Sequence, residues 1–508
     1  MAVTDPLLAI ALSPKDIASV FLLVSVTFAA LHYCYNIFFH PLAKYPGPRL
    51  RAASQIPFLL GLVKGRHHLI IRELHERYGT VVRFAPGHLS YISADAWREI
   101  YGHKKHGEPE MSKETRWNVA DPNGPTVFLS SRERHSHYRR LLSHGFSDRA
   151  LREQEPLLRS YVDLLIRGLR RVSNHGKTPV NLVEWFNMTT FDIIGDLTFG
   201  EPFGCLQTGT LHPWVRGIFN GLKAITYVTA AQHIPLIGPY MQPLLGLAMT
   251  SDAFKARQAH FGYCHDKVTR RLNNASHRPD FMEGILQRPP GKGMTFPELV
   301  GHSSVLVIAG SETTATLLSG AVYLLLANRD KMQRLVDEVR TAFDSQDDIS
   351  IEAIGRLVYL QAVIEESLRF YPPVAAGIHR EVPPGGSQIG GRYVPAATAV
   401  TVSHYAAYHS AANFTQPDAF IPERFIDKSA FDDNRDVLQP FHVGPRNCIG
   451  RNLAYAEMKL ILALLLFHFD LKLNERTTDW LEQKTYIIWE KHPLLVHLTP
   501  ARAPENRV

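Results

Sequence analysis

The 508-residue sequence predicts a mainly α-helical protein with small β-sheets, built as one large domain behind an N-terminal membrane-spanning helix. Three observations predict this class. Apolar residues recur at helical spacing over much of 65–80, 132–170, 182–198, 296–342, 351–370 and 450–468. Strand-like runs are short and few, near 80–93, 387–403 and 484–498. No linker, repeat or low-complexity stretch divides the chain, and the clusters Pro289-Pro290-Gly291 and Pro383-Pro384-Gly385-Gly386 read as local turns.

The first element is the anchor. After a leader at 1–16, the segment 17–39 is apolar, with no charge from Ile17 to Leu31 and only His32 and Asn36 as interruptions. As a helix it would be about 34 Å long, enough to cross a bilayer core. Tyr33 and Tyr35 suit a membrane interface. Lys44, Arg49 and Arg51 follow the run, whereas Asp5, Lys15 and Asp16 precede it, so the basic excess predicts a cytosolic body. A cleaved signal peptide is disfavoured by the lack of a basic start and of a small-residue cleavage site. Prolines 41, 46 and 48 then stiffen 40–50 into a hinge, leaving 51–508 as the main domain.

Composition excludes several classes. The chain is 45% hydrophobic and 20% charged, ordinary for a globular protein. Cys34, Cys205, Cys264 and Cys448 are widely spaced, which indicates neither a zinc site nor a disulfide framework and fits a reducing compartment. A net charge of +7 suits anionic lipid or an acidic redox partner. No nucleic-acid motif accompanies it. Asn187, Asn274 and Asn413 lie in N-x-S/T sequons that a cytosolic body would leave unmodified.

The chemistry is concentrated near the C-terminus, in Phe441-His-Val-Gly444-Pro-Arg446-Asn-Cys448-Ile-Gly450. An isolated cysteine is usually a small buried apolar residue. Here glycines allow a tight turn and close approach to a flat group. A helix starting at Ile449 would aim free N–H groups at the sulfur, and Phe441 would cover it. Arg446 offers a fork for a carboxylate. These features suit a thiolate on haem iron, with the arginine on a propionate.

This segment resembles the haem-binding loop of the cytochrome P450 family, F-x-x-G-x-R-x-C-x-G, with every position filled. The resemblance implies a P450 fold and a single haem-binding domain. It implies haem b (heme b, iron protoporphyrin IX) with Cys448 as axial ligand and Phe441, Gly444, Arg446 and Gly450 around it. Further motifs agree in order. Ala309-Gly310-Ser311-Glu312-Thr313-Thr314 lies in an apolar helical stretch from about Leu299 to Leu326, where small residues leave room over a cofactor. It resembles the family's oxygen-activation motif, which makes Thr313 the oxygen-side hydroxyl and Glu312 the relay acid, with Ala309 and Gly310 facing the haem. Splitting dioxygen consumes protons, and a hydroxyl beside a carboxyl can relay them.

Glu366-Ser-Leu-Arg369 sets an acid and a base three apart on one helix face amid apolar neighbours, and Pro422-Glu423-Arg424-Phe425 supplies a candidate third member. They resemble the family's E-x-x-R and P-E-R-F elements, a structural core network of Glu366, Arg369 and Arg424. Arg139, in a segment similar to the family's W-x-x-x-R helix, and Arg380 are implied propionate clamps. His135 stands where the family has tryptophan. Val305, Ala309, Ala375, Ala376 and Ile488 are the substrate-wall candidates, together with 105–130 and 205–250. They are small or apolar and predict a lipophilic substrate.

The resemblance implies a monooxygenase that hydroxylates or epoxidises a lipophilic small molecule. The chain has no Gly-rich flavin or nicotinamide fingerprint, so electrons are expected from NADPH through a separate P450 reductase, with cytochrome b5 as a second donor the family allows. The Phe-Phe-His-Pro-Leu entry to the hinge is similar to fungal microsomal members of the trichothecene-hydroxylase type. That likeness points to secondary metabolism (a terpenoid, polyketide or alkaloid) and to the endoplasmic reticulum membrane, single-pass with a cytosolic domain. A reductase-independent haem-thiolate isomerase or dehydratase and a non-catalytic haem protein are the alternatives. The intact Glu312-Thr313 pair disfavours the former.

Overall fold

The structure is a computed structural model that describes residues 13–501 apart from 106, 118–122, 235–237, 239–251, 275–276 and 290. Most of the leader and parts of the expected 105–130 and 205–250 walls lie outside the described residues. The first helix, Pro14–Cys34, starts ahead of Ile17 because Ser13 and Asp16 cap it reciprocally and Pro14 suits the first turn. It continues through a π-helical turn, Tyr35–Phe39, into an apolar stretch of 26 residues that packs on nothing along its membrane-length window. Phe21, Leu22, Leu23 and Leu31 are all exposed, and lipid is the solvent that such a surface suits.

The proline-rich segment is fastened as well as stiff. Leu42 is fully buried, and the Pro46 carbonyl accepts from the Arg83 amide at 2.7 Å. Arg83 also donates to the Asn36 carbonyl at 2.9 Å, so the anchor's exit is held against the body.

A long central helix, Phe296–Ala327, organises the main domain. Thr295 and Glu298 form its capping box. It is long and apolar enough to cross a membrane, yet 72% of its most apolar stretch is buried, which marks it as a core helix. The helices Leu182–Phe199, Val358–Phe370 and Arg451–His468 pack against it. The first of these is buried at every position but Glu184, and Gly310 lets it approach: a Cβ there would strike Ile194.

Helical periodicity over 296–342 resolves into two helices. Asn328 leaves helical geometry (φ −123°, ψ 79°), its side chain donates to the Leu324 carbonyl, and Arg329–Ala342 follows as a separate helix. Two further helices, Pro213–Gln232 and Asp252–Asn273, lie outside the helical segments expected from the sequence.

The sheets are small, as expected. The largest has the spatial order Val81–Ala85, His88–Tyr91, Ala399–Val402, Arg380–Glu381, Ser112–Lys113, with one parallel pair in its middle. A second core cluster lies beneath it, distinct from the main interhelical core. A hairpin of Lys484–Tyr486 and Ile488–Glu490 turns at Ile487, and Leu495–Pro500 pairs with Phe469–Leu473 and Val180–Asn181. Asn187 and Asn413 are buried (3% and 6% exposed), so neither sequon is open to glycosylation in the folded protein.

Candidate active site

The cysteine loop is closed by its own backbone. The Cys448 amide donates to the Phe441 carbonyl at 2.8 Å, and the Asn447 amide to Gly444 at 3.2 Å. Gly444 has φ +76°, and a Cβ there would strike the Tyr101 carbonyl, so only glycine fits. Gly450 differs: a Cβ there would make one ordinary contact, with Phe146 at 3.8 Å. Its missing side chain relieves no clash within the protein and leaves space instead. The following helix begins at Arg451 rather than Ile449, because Ile449 and Gly450 form the turn into it. Phe441 packs on Tyr455 with ring centroids 5.1 Å apart, and His442 sits edge-on to Trp97 and Tyr101.

The Cys448 sulfur is accessible, yet protein surrounds it closely, which places it on an internal space rather than on the outer surface. Burial pushes its thiol pKa up. The Gly450 amide, Arg139 and Arg451 favour the thiolate against that effect. A metal ion on the sulfur would tip the balance to thiolate outright.

Cations gather beside the loop. Arg139 donates to the Asn447 carbonyl and, at 2.6 Å, to its side-chain oxygen. Arg446 pairs with Glu110. Arg380 lies buried in its strand with Nε and Nη1 unpartnered among the described residues, and Arg446 Nη1 is unpartnered too. Burial pulls the Arg380 pKa down to about 10, and Arg446 adds repulsion. Lys113 is held well below the usual lysine range by burial and by Arg380 and Arg446. Buried donors without acceptors and mutually repelling cations call for an anionic group between them. The two propionates of a haem satisfy that requirement, so the residues present fit the cofactor. His135, buried at the expected tryptophan position, is pulled down to about 4 by burial and Arg446, and so adds no charge near neutral pH. Lys113 and Glu110 carried no sequence signal, since neither sits in a patterned segment.

On the central helix, Val305, Ala309 and Thr313 are accessible at a spacing of four, while most of the helix is buried. They lie one helical turn apart on one face, with Leu306, Ile308 and Gly310 partly accessible beside them. Thr313 Oγ1 donates to the Ala309 carbonyl at 2.8 Å without breaking the helix. Glu312, one residue back, points elsewhere and is buried. It pairs with Lys491, which also donates to Thr316 Oγ1 at 2.7 Å, and the two side chains are only 4% and 1% exposed. Burial raises the Glu312 pKa, and Lys491 opposes the rise. Lys491 approaches from 179 positions away, beyond the reach of any local sequence pattern.

The expected pocket residues divide. Ala376 is partly accessible, but Ala375 has no accessible surface, and its carbonyl accepts from the Tyr405 amide at 3.0 Å: it is core. Ile488 is buried within its hairpin, and the exposed residue is Ile487, lifted by its positive φ at the tip.

The charge network closes as a buried unit. Glu366 accepts from Arg369 Nε and Nη2, both at 2.8 Å, and from the Ile421 amide at 2.8 Å. Arg424 Nε lies 3.2 Å from Glu366, and its Nη1 donates to Asp433 at 2.7 Å. Asp433, which lies in no patterned segment, balances the second arginine.

The Cytochrome P450 family model matches residues 46–498. Cytochrome P450 monooxygenase astJ of Aspergillus oryzae is 44% identical over 93% of this chain and 95% of that protein. Cytochrome P450 monooxygenase astA of Talaromyces wortmannii is 44% identical over 95% of this chain and 97% of that protein. Averantin hydroxylase of Dothistroma septosporum is 43% identical over 92% of this chain and 88% of that protein.

Proposed function

The chain belongs to the cytochrome P450 family and is a haem-thiolate monooxygenase, and on that premise we propose that Cys448 is the iron ligand and that the residues around it act as follows. The observation that carries the assignment is Cys448, left accessible in a densely surrounded loop that its own backbone closes. The haem, when bound through this thiolate, supplies reductive activation of dioxygen and transfer of one oxygen atom to a C–H or C=C bond. Arg380, Arg446 and Arg139 would hold its propionates, with Lys113 beside them. Gly450 would leave space for the ring, and Ala309 and Thr313 would line its site from the central helix. Gly310 contributes indirectly, through its contact with Ile194.

Thr313 Oγ1 delivers protons on the accessible face of the central helix, and Glu312 resupplies it. Neighbouring helix residues point about 100° apart, so Glu312 must leave Lys491 to serve Thr313. Lys491 is therefore a positioning residue that parks the acid between turnovers. In Lys491→Met the Glu312 carboxyl loses its cation and rises further. Product formed per NADPH should fall about three- to tenfold, with haem content and substrate binding unchanged and partial rescue by Lys491→Arg. Coupling equal to the wild type would remove Lys491 from the relay.

The substrate is a lipophilic small molecule, and we place the enzyme in fungal secondary metabolism, on a terpenoid, polyketide or alkaloid skeleton. The likeness to averantin hydroxylase favours hydroxylation. The 17–39 helix would anchor the protein in the endoplasmic reticulum membrane, with 40–50 as the clamped hinge and 51–508 in the cytosol, where NADPH–P450 reductase docks. Reconstitution with that reductase should give NADPH consumption and a product carrying one oxygen from O2. Rearrangement of a peroxide without reductase would instead indicate an isomerase. In the same assay Thr313→Ala should keep haem and substrate binding, yet lose about tenfold or more in coupling, with the shortfall recovered as hydrogen peroxide. Tight coupling in that variant would count against the hydroxyl's role.

A further inference from the structure

A second group of ligand-type side chains lies apart from the cysteine loop. His88 on its strand, Glu114 ahead of the Thr115–Trp117 turn and His233 at the end of the Pro213–Gln232 helix meet in the interior. One ligand atom from each lies within 4.8 Å of the others. His88 Nε2 and His233 Nε2 are 3.5 and 3.3 Å from the same oxygen, Glu114 Oε1. A tetrahedral zinc ion with bonds of about 2.0–2.1 Å has ligand-to-ligand edges of about 3.4 Å. The two separations match those edges.

Hydrogen bonding sharpens the case. His233 Nδ1 lies 2.7 Å from the Thr229 carbonyl, which can only accept, so the proton of the neutral ring sits on Nδ1. Nε2 then turns a lone pair toward the Glu114 carboxylate. Two acceptors facing each other in a dry interior need a cation between them. A backbone carbonyl on the far nitrogen is the usual outer support of a metal-bound histidine. Both His88 nitrogens, Glu114 Oε2 and both His379 nitrogens are also buried without a hydrogen-bond partner among the described residues. His379 stacks on Trp117 with centroids 4.6 Å apart and sets Nδ1 3.7 Å from Glu114 Oε2. A proton on His233 would satisfy one contact and leave the rest orphaned. Arg116, 2.6 Å from Oε1, does not block an ion, because a carboxylate oxygen has two lone pairs.

We infer that His88, Glu114 and His233 form a structural site for a zinc(II) ion, its fourth position taken by a water beside His379. The ion would tie the end of the Pro213–Gln232 helix to the large sheet, next to Arg380. Full-length protein, purified without a histidine tag or added metal, should carry about one zinc per chain by elemental analysis alongside haem iron. EDTA should remove the zinc and lower the thermal midpoint, and zinc chloride should restore both. The His88→Gln/His233→Gln variant should bind none and show no response to zinc chloride. The inference is overturned if the wild type neither holds zinc nor gains stability from zinc chloride, or if the variant holds as much. Should that variant fail to fold, the wild-type removal and re-addition cycle and the milder Glu114→Gln decide the matter.

Discussion

Cys448→Ala is expected to lose the strongly red-shifted Soret band of the reduced carbon monoxide complex, and turnover should fall to background. The band reports thiolate ligation, and the thiolate's electron donation is what favours O–O cleavage. The fold should survive the change. The loop is closed by backbone bonds from Cys448 to Phe441 and from Asn447 to Gly444, which an alanine keeps. The fixed turn at Gly444 is likewise untouched. Far-ultraviolet circular dichroism should therefore match the wild type while the band vanishes, which separates ligand loss from unfolding. Retention of the red-shifted band in the variant would refute the ligand assignment.

Glu366→Gln is expected to be the most destabilising single exchange. Glu366 is the shared acceptor for Arg369 and Arg424 and also takes the Ile421 amide, with all three side chains fully buried. A neutral amide cannot receive two Arg369 donors and balance two guanidiniums. Breaking a buried pair costs about 3–5 kcal/mol, a large part of the roughly 5–15 kcal/mol that holds a domain folded. Arg369 would retain only the Tyr408, Pro417 and Ala419 carbonyls, whereas Arg424 would retain Asp433. Low haem incorporation and a much lower thermal midpoint should follow. A variant that unfolds at the wild-type midpoint would show the network to be dispensable.

Much of the site was legible in local patterns. The cysteine loop, the Ala309–Thr314 stretch and the Glu366–Arg369 pair each lie within about ten residues, and their chemistry depends on spacing along one turn or helix. The long helices were legible because apolar periodicity records which face is buried. Errors arose where one position had to be judged core or wall. Ala375 and Ile488 are as apolar as any pocket residue, and only the accessibility of Ala376 and Ile487 distinguishes them. Gly310 was read as space above a cofactor, but the atom it makes room for belongs to Ile194.

The chain order of short motifs was thus sufficient to specify a haem-thiolate oxygenase and its anchor, because a turn, a helix face and an apolar run are set by neighbours in sequence. Partnership across the fold was not. Lys491 on Glu312, Lys113 beside Arg380, and the meeting of His88, Glu114 and His233 all join segments whose separation carries no periodic signal. Burial governs the strength and protonation of each of these charges, and burial exists only once distant helices and strands have packed.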